Sequence, residues 1–319
     1  MSTSVILIAG AGQLGSRYLQ GLAKVEPGLD IHLYDVEKAS LDRAQERWNE
    51  VATASTLHRV SLHQSLVGIP PRVDLAIVAT TASARPAVVE AIAAQSHVNA
   101  WILEKVLAQS LQGLNSLLKA TGPASGVWVN TPRRMLPWHQ QIKAHLPLRR
   151  PLTLEVNGSE WGLACNSIHF LDMLCWWTGE QLETVSTDEL APRWIDARRP
   201  CNYEIMGTLR ARFSGGSTAV LQVNDGELHY TFELTDGELV WQMDETAGTA
   251  TRSDGLSVPG RLPFQSEVTA GLVETILATG SCELPTLEES VELHRVFLAG
   301  LLAHWRKSVD PSADSVPIT

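Results

Sequence analysis

The sequence predicts an α/β chain in two parts: a doubly wound parallel sheet, then an α+β domain on an open, mostly antiparallel sheet. Three observations carry that prediction. The chain opens on a short apolar run, Val5-Ile6-Leu7-Ile8-Ala9, that leads straight into Gly10-Ala11-Gly12-Gln13-Leu14-Gly15. From there to Val129, strand-like and helix-like runs alternate, as βαβ units require. Beyond it, alternating apolar and polar residues separated by turn signals take over, as in hairpins.

The glycine run sits between a strand and a helix, where Gly-x-Gly-x-x-Gly marks a dinucleotide-binding (Rossmann) turn. Gly10 permits the tight turn, Gly12 lets the backbone approach a pyrophosphate, and Gly15 lets the helix pack close to the strand. The helix that follows offers N–H groups and a partial positive charge that suit phosphates. It reads over 16–23, with Tyr18, Leu19 and Leu22 on one face and Pro27-Gly28 as its stop. The second strand covers 31–34, and Asp35 stands at its tip, where the fingerprint expects an acid. A carboxylate there accepts hydrogen bonds from ribose hydroxyls and repels a 2′-phosphate. Lys38 offsets that repulsion only in part, so NAD is expected over NADP. The plainer reading of Asp35 is a cap for the helix that follows over 38–51.

Further strands read at 59–61, 73–79, 99–103 and 127–129, and helices at 86–94 and 107–120. Thr80 and Thr81 follow one of these strands, Glu104 and Lys105 the next, and Asn130 the last. The boundary is placed between a dinucleotide-binding domain, 1–126, and a substrate-binding and oligomerisation domain, 127–319. In the second, 152–161 reads as a strand and 166–177 as an apolar helix stopped by Gly179. Hairpins are expected from 207–223, around Ser214-Gly215-Gly216-Ser217, and from 228–243, around Asp236-Gly237. Helices over 265–279 and 287–307 close the chain, with an extended tail after Val309.

Composition narrows the function. At 319 residues the chain exceeds a typical single core, which favours two domains. A net charge of −10 argues against nucleic acid or an anionic membrane as partner. No apolar stretch reaches the length of a bilayer span. The first strand begins almost at once, which leaves no room for a signal peptide, so a cytoplasmic protein is expected. Cys165, Cys175, Cys201 and Cys282 lack Cys-x-x-Cys spacing, so free thiols and no metal site are expected.

On these and a few further residues the chain resembles the glucose–fructose oxidoreductase, inositol dehydrogenase and rhizopine-catabolism superfamily, Gfo/Idh/MocA. The matching segments are Gly10 to Gly15 with Asp35, Ala79-Thr80-Thr81, and Trp101-Ile102-Leu103-Glu104-Lys105. The helix Asn166-Ser167-Ile168-His169-Phe170-Leu171-Asp172 with Trp176-Trp177-Thr178-Gly179, and the segment from Leu284 to Ser290, match as well. The resemblance implies an NAD(P)-dependent oxidoreductase, a homodimer or homotetramer, that moves a hydride between nicotinamide and a hydroxyl or carbonyl. The substrate class implied is a sugar, a polyol or an activated sugar derivative. Cofactor contacts are implied at Gly10, Gly12, Gln13, Leu14, Gly15, Asp35, Thr80, Thr81 and Glu104. Two departures stand out: Val106 replaces the proline usual after the lysine, and Cys165 replaces an aspartate usual four residues before the histidine.

Lys105, at the carboxyl end of a parallel strand, is expected to carry the hydroxyl proton, with its pKa lowered beside a nicotinamide cation. The plainer reading is a surface lysine paired with Glu104. His169 lies on an otherwise apolar helix and is read as a catalytic or positioning group, with Asp172, three residues on, supporting it or binding a substrate hydroxyl. Asn166 is read as substrate-binding. Arg133 and Arg134 read equally as a clamp for an acidic or phosphorylated substrate or as a solvated pair at a linker. Trp161, Trp176 and Trp177 either wall a sugar site or fill the core. Because Cys165 removes an acid from the expected relay, the alternative function is an NAD(H)-loaded binding or regulatory protein of low or no activity.

Overall fold

The computed structural model describes residues 3–26, 28–53, 57–147 and 150–319. Pro27, expected as a helix stop, lies outside the described residues. In chain order the elements begin with β1 (Ser4–Ala9), α1 (Gln13–Leu22), β2 (Leu29–Tyr34), α2 (Lys38–Val51), β3 (Arg59–His63), β4 (Arg72–Val78) and α3 (Arg85–Gln95). They continue with β5 (His97–Leu103), α4 (Leu111–Thr121), β6 (Gly126–Val129), a 3-10 turn (Pro132–Met135), α5 (Pro137–Ala144), β7 (Thr153–Gly158) and α6 (Leu163–Thr178). Next come β8 (Leu182–Asp196), β9 (Tyr203–Phe213), β10 (Thr218–Val223), β11 (Thr231–Thr235), β12 (Val240–Asp244), β13 (Thr249–Arg252) and β14 (Ser257–Pro259). The chain closes with α7 (Gln265–Thr279) and α8 (Leu287–Ser308).

Two compact units result. The first comprises 1–108, 112–130 and 263–287, and the second 109–111, 131–262 and 288–319. Where the sequence reading has a single boundary after 126, the chain here returns to the first unit with α7. The physical reason is that α1 packs against α7, and an apolar helix face must be covered.

The first unit holds a six-stranded parallel sheet in the order β3-β2-β1-β4-β5-β6. Its central strands are buried on both faces, and Ile6 to Ala9 and Leu75 to Val78 are fully buried. That explains their continuous apolar runs. The order reverses between β1 and β4, so the crevice at their carboxyl ends lies where Gly10 and Thr80 stand. The second unit holds an eight-stranded sheet in the order β14-β13-β12-β11-β7-β10-β9-β8. Its pairs are antiparallel except β7 with β10. Leu154 and Val156 of β7 and Ala219, Leu221 and Val223 of β10 are buried, alternating with more exposed neighbours. Helix α6, with its apolar face Ile168, Leu171 and Leu174 buried, packs on β9 and β10. The hairpins expected at 207–223 and 228–243 are present as β9–β10 and β11–β12.

Candidate functional site

In the first unit the glycine turn has a different reason at each position. Gly10 has φ +97°, which an L side chain rarely adopts. A Cβ on Gly15 would stand 1.7 Å from the Gly10 carbonyl oxygen, so only glycine lets α1 approach β1. Gly12 has φ −63° and ψ −164°, and a Cβ there would meet nothing within 4 Å. The space beside Gly12 therefore does not require glycine there.

The neighbourhood suits a pyrophosphate and a ribose. No side chain caps α1 and no acid stands in its first turn, so its leading N–H groups remain for an anion. Asp35 follows β2 and is held by two backbone donors, Ala11 N–H to Oδ2 at 2.6 Å and Glu37 N–H to Oδ1 at 2.9 Å. Its carboxylate is thereby fixed beside the turn. Lys38, the cation that could have offset Asp35 toward a 2′-phosphate, is committed to Asp42 at 2.7 and 2.6 Å. Thr80 Oγ1 and Asn130 Oδ1, at the carboxyl ends of β4 and β6, are buried without a hydrogen-bond partner among the described residues. Buried polar atoms of this kind call for a ligand or a water. Thr81 is engaged locally, its Oγ1 3.1 Å from Ser83 Oγ and its carbonyl accepting from the Ala84 and Arg85 amides.

Glu104, expected among the cofactor contacts, is an internal anchor instead. Its buried Oε1 accepts from Tyr18 Oη at 2.7 Å and Asn130 Nδ2 at 2.6 Å. Burial pushes its carboxyl up, while Tyr18, Asn130, Arg85 and Lys105 pull it down. Asn130 Nδ2 also reaches Gln265 Oε1 of α7's first residue, at 3.0 Å. Glu104 thus ties α1 to the ends of β5 and β6, and Lys105 follows it, half-buried. The Lys105–Val106 peptide is cis. The helix expected from 107 begins only at Leu111, because 104–110 is a shaped loop.

The second unit corrects three expectations. Arg133 and Arg134 are buried and satisfied from within, so neither stands open as an anion clamp. Arg133 grips Glu245 with Nε and Nη2 at 2.7 and 2.6 Å and lies 4.7 Å over the Phe170 ring. Arg134 grips Asp172 at 3.1 and 2.7 Å, and Thr131 Oγ1 donates to the same carboxylate at 2.9 Å. Asp172 is therefore committed to holding the 3-10 turn on α6 rather than to supporting His169. Glu245 also takes Tyr230 Oη at 2.9 Å and lies 3.1 Å from His139 Nε2. Burial works to raise the Glu245 carboxyl, yet the Arg133 charge and His139 hold it well below the usual carboxylate range. Burial lowers His139 in turn. Charges this deep survive only because they are paired.

At the other end of α6, Gly162 has φ +78° and turns the chain into the helix. Glu204 of β9, which sequence reasoning missed, caps it: Oε2 accepts from Ala164 N–H at 2.7 Å and Oε1 from Cys165 N–H at 3.2 Å. No local spacing could announce this, since the cap lies some forty residues from the helix it closes. Asn166 Nδ2 donates to the Trp161 carbonyl at 2.6 Å, and Trp161 Nε1 to the Gln222 carbonyl at 2.9 Å. His169 lies one turn beyond Cys165 and is half-buried. The structure thus gathers Cys165, Asn166 and Glu204 about one helix end. Trp161 and Trp177 are core residues, whereas Trp176 is partly exposed and carries Lys143 Nζ 4.3 Å over its ring. A cavity of about 580 Å³ opens beside the carboxyl half of α6, lined among others by Arg134, Cys175, Trp176 and Glu289. Burial pushes the Cys175 thiol up to about 12, so it is no nucleophile. Among the described residues no cluster of ligands fit for a metal occurs, and no helix is long and apolar enough to cross a membrane.

Comparison with known proteins bears on this geometry through structure rather than sequence. No family model and no curated protein matches the chain. Solved structures do. The UDP-N-acetylglucosamine 3-dehydrogenase GnnA from Acidithiobacillus ferrooxidans aligns with a TM-score of 0.69 at 19% identity, over 98% of this chain and 99% of that one. A scyllo-inositol dehydrogenase from Lactobacillus casei, with bound NAD(H) and scyllo-inositol, gives 0.67 at 16%, over 95% and 97%. An oxidoreductase from Agrobacterium radiobacter, in complex with NAD+, L-tartaric acid and magnesium, gives 0.68 at 14%, over 95% and 96%. The chain therefore has the complete two-part fold of these oxidoreductases, the fold that the Gfo/Idh/MocA resemblance implies.

Proposed function

We propose that the protein is an NAD-dependent oxidoreductase acting on a CH–OH group, or its carbonyl counterpart, of a sugar, polyol or activated sugar derivative. The observation that carries the reading is Gly12: a glycine the fold does not require, at the mouth of an uncapped helix and beside an anchored Asp35. Gly10 to Gly15 would hold the pyrophosphate, Asp35 the adenosine ribose, and Thr80 and Thr81 the side of the cofactor facing β4. The buried acceptor of Asn130 adds a fourth contact. When bound, NAD supplies the hydride acceptor, nicotinamide C4.

The chain's own residues handle the proton. Lys105 Nζ takes it from the substrate hydroxyl in oxidation and returns it in reduction, a contribution of about 10²–10⁴-fold in rate. His169 is the second candidate carrier, and Asn166 binds a substrate hydroxyl. The carboxylate missing at Cys165 is supplied by Glu204, which brings its oxygens to the same helix end from β9. Homodimer or homotetramer assembly goes with this reading. UDP-N-acetylglucosamine and scyllo-inositol, named for two structural neighbours, head the substrates to try.

The test is NADH formation from NAD by the purified protein over a panel of sugars, polyols and nucleotide sugars, beside Lys105→Met. Turnover in the wild type that drops at least ~100-fold in the variant, with the fold intact, is expected. Equal rates in both proteins would remove Lys105 from the chemistry.

A further inference from the structure

Arg85 opens α3 and is 1% exposed, yet nothing about its position in the sequence demands a cation there. A buried guanidinium is costly unless its donors are met. Here the two terminal nitrogens, though not Nε, are met by backbone carbonyls. Nη1 donates to the Val106 carbonyl and, at 3.0 Å, to the Leu107 carbonyl, and Nη2 donates to the Thr80 carbonyl. One planar group therefore spans from the end of β4 to the loop after β5. That loop is the one that carries Lys105, and its bonded carbonyls belong to the next two residues. On the other side of Lys105, Glu104 is locked by Tyr18 and Asn130. The lysine is held between two buried anchors, an acid before it and an arginine after it. The Arg85 charge also reaches Glu104 and Tyr18, opposing the upward push that burial gives both groups.

We infer that Arg85 is a positioning residue for Lys105, fixing the loop after β5 against the end of β4 so that the amine stands in one place. The inference rests on the reading of Lys105 as proton carrier. The fixed fork of the guanidinium is what the task needs: three carbonyls on two segments are served at once, which an ammonium on a flexible stem does not reproduce. A shift of about 1 Å in a reacting group costs on the order of 100-fold in rate, so a loosened loop is felt in turnover before it is felt in binding.

The experiment compares the full-length wild type with Arg85→Lys and Arg85→Ala, each with and without free guanidinium ion. Two things are read. One is the amidination rate of Lys105 by mass spectrometry, relative to the exposed Lys24 and Lys119 of the same chain. The other is kcat and KM on whichever panel substrate the wild type turns over. In both variants the relative labelling of Lys105 should change at least ~3-fold while Lys24 and Lys119 keep their rates. The kcat should fall about 10- to 100-fold with KM for NAD within about 3-fold, and guanidinium should restore part of the Arg85→Ala loss. Labelling of Lys105 within about 2-fold of wild type in a folded Arg85→Lys would overturn the inference, even where Arg85→Ala fails to fold. A wild type that labels as expected but oxidises nothing counts against the oxidoreductase reading alone, because labelling still decides the role of Arg85.

Discussion

The two units use charge in opposite ways. In the first, the groups read as cofactor contacts follow strand ends or the glycine turn, and the turn into α1 carries no capping side chain and no acid in its first helical turn. In the second, the most prominent charges are closed on themselves: Arg133 with Glu245, and Arg134 with Asp172. The difference teaches that a buried cation near a site is not thereby a ligand for substrate. Arg133 is a structural rivet, joining the 3-10 turn after β6 to the end of β12 across 112 residues of chain. The first unit leaves the leading end of α1 uncapped, and the second closes its charges around the helix that carries His169.

The sharpest way to break that contrast is to open a rivet. Arg133→Met removes the cation and leaves Glu245 buried with Tyr230 and His139 for company. Breaking a buried pair from one side costs about 3–5 kcal/mol, so urea unfolding should show a loss of that size. A change under about 1 kcal/mol would mean that the pair is better solvated than its burial implies, and the clamp reading would return. A smaller effect tests the other end of α6. Glu204→Gln keeps one acceptor for the helix N–H groups but removes the charge. If Glu204 stands in for the missing acid, kcat should drop about 10-fold, worth about 1.4 kcal/mol, and adding Cys165→Asp should recover most of it. A loss that Cys165→Asp does not repair would leave Glu204 as a helix cap only.

The same contrast explains what could be read from the sequence. Gly10 to Gly15 and Asp35 are legible because a turn, a helix start and a strand tip are local events, set by spacing along one βαβ unit. Tyr18, Leu19 and Leu22 were legible as a buried face because helix period is local too. The partners of Arg133 and Arg134 were not, since Glu245 and Asp172 reach them only through the tertiary fold. The strand β8 escaped notice because it is a sheet edge, charged along much of its length, interrupted by Pro192 and irregular in register. The short β13 and β14 carry too few residues to show a period. The apolar run from Leu107 continues the helix pattern, yet α4 starts only at Leu111, because Arg85 holds the intervening stretch as loop.

The central claim, that the first unit holds NAD against Gly12 and Asp35, is tested most directly by calorimetric titration of NADH and NADPH into the wild type and into Gly12→Val. The account predicts that NADH binds the wild type at least ~10-fold more tightly than NADPH. It also predicts that Gly12→Val loses NADH binding while the protein still folds, because a Cβ at position 12 meets no protein atom within 4 Å. Undiminished NADH binding by Gly12→Val, or a preference for NADPH, would contradict it.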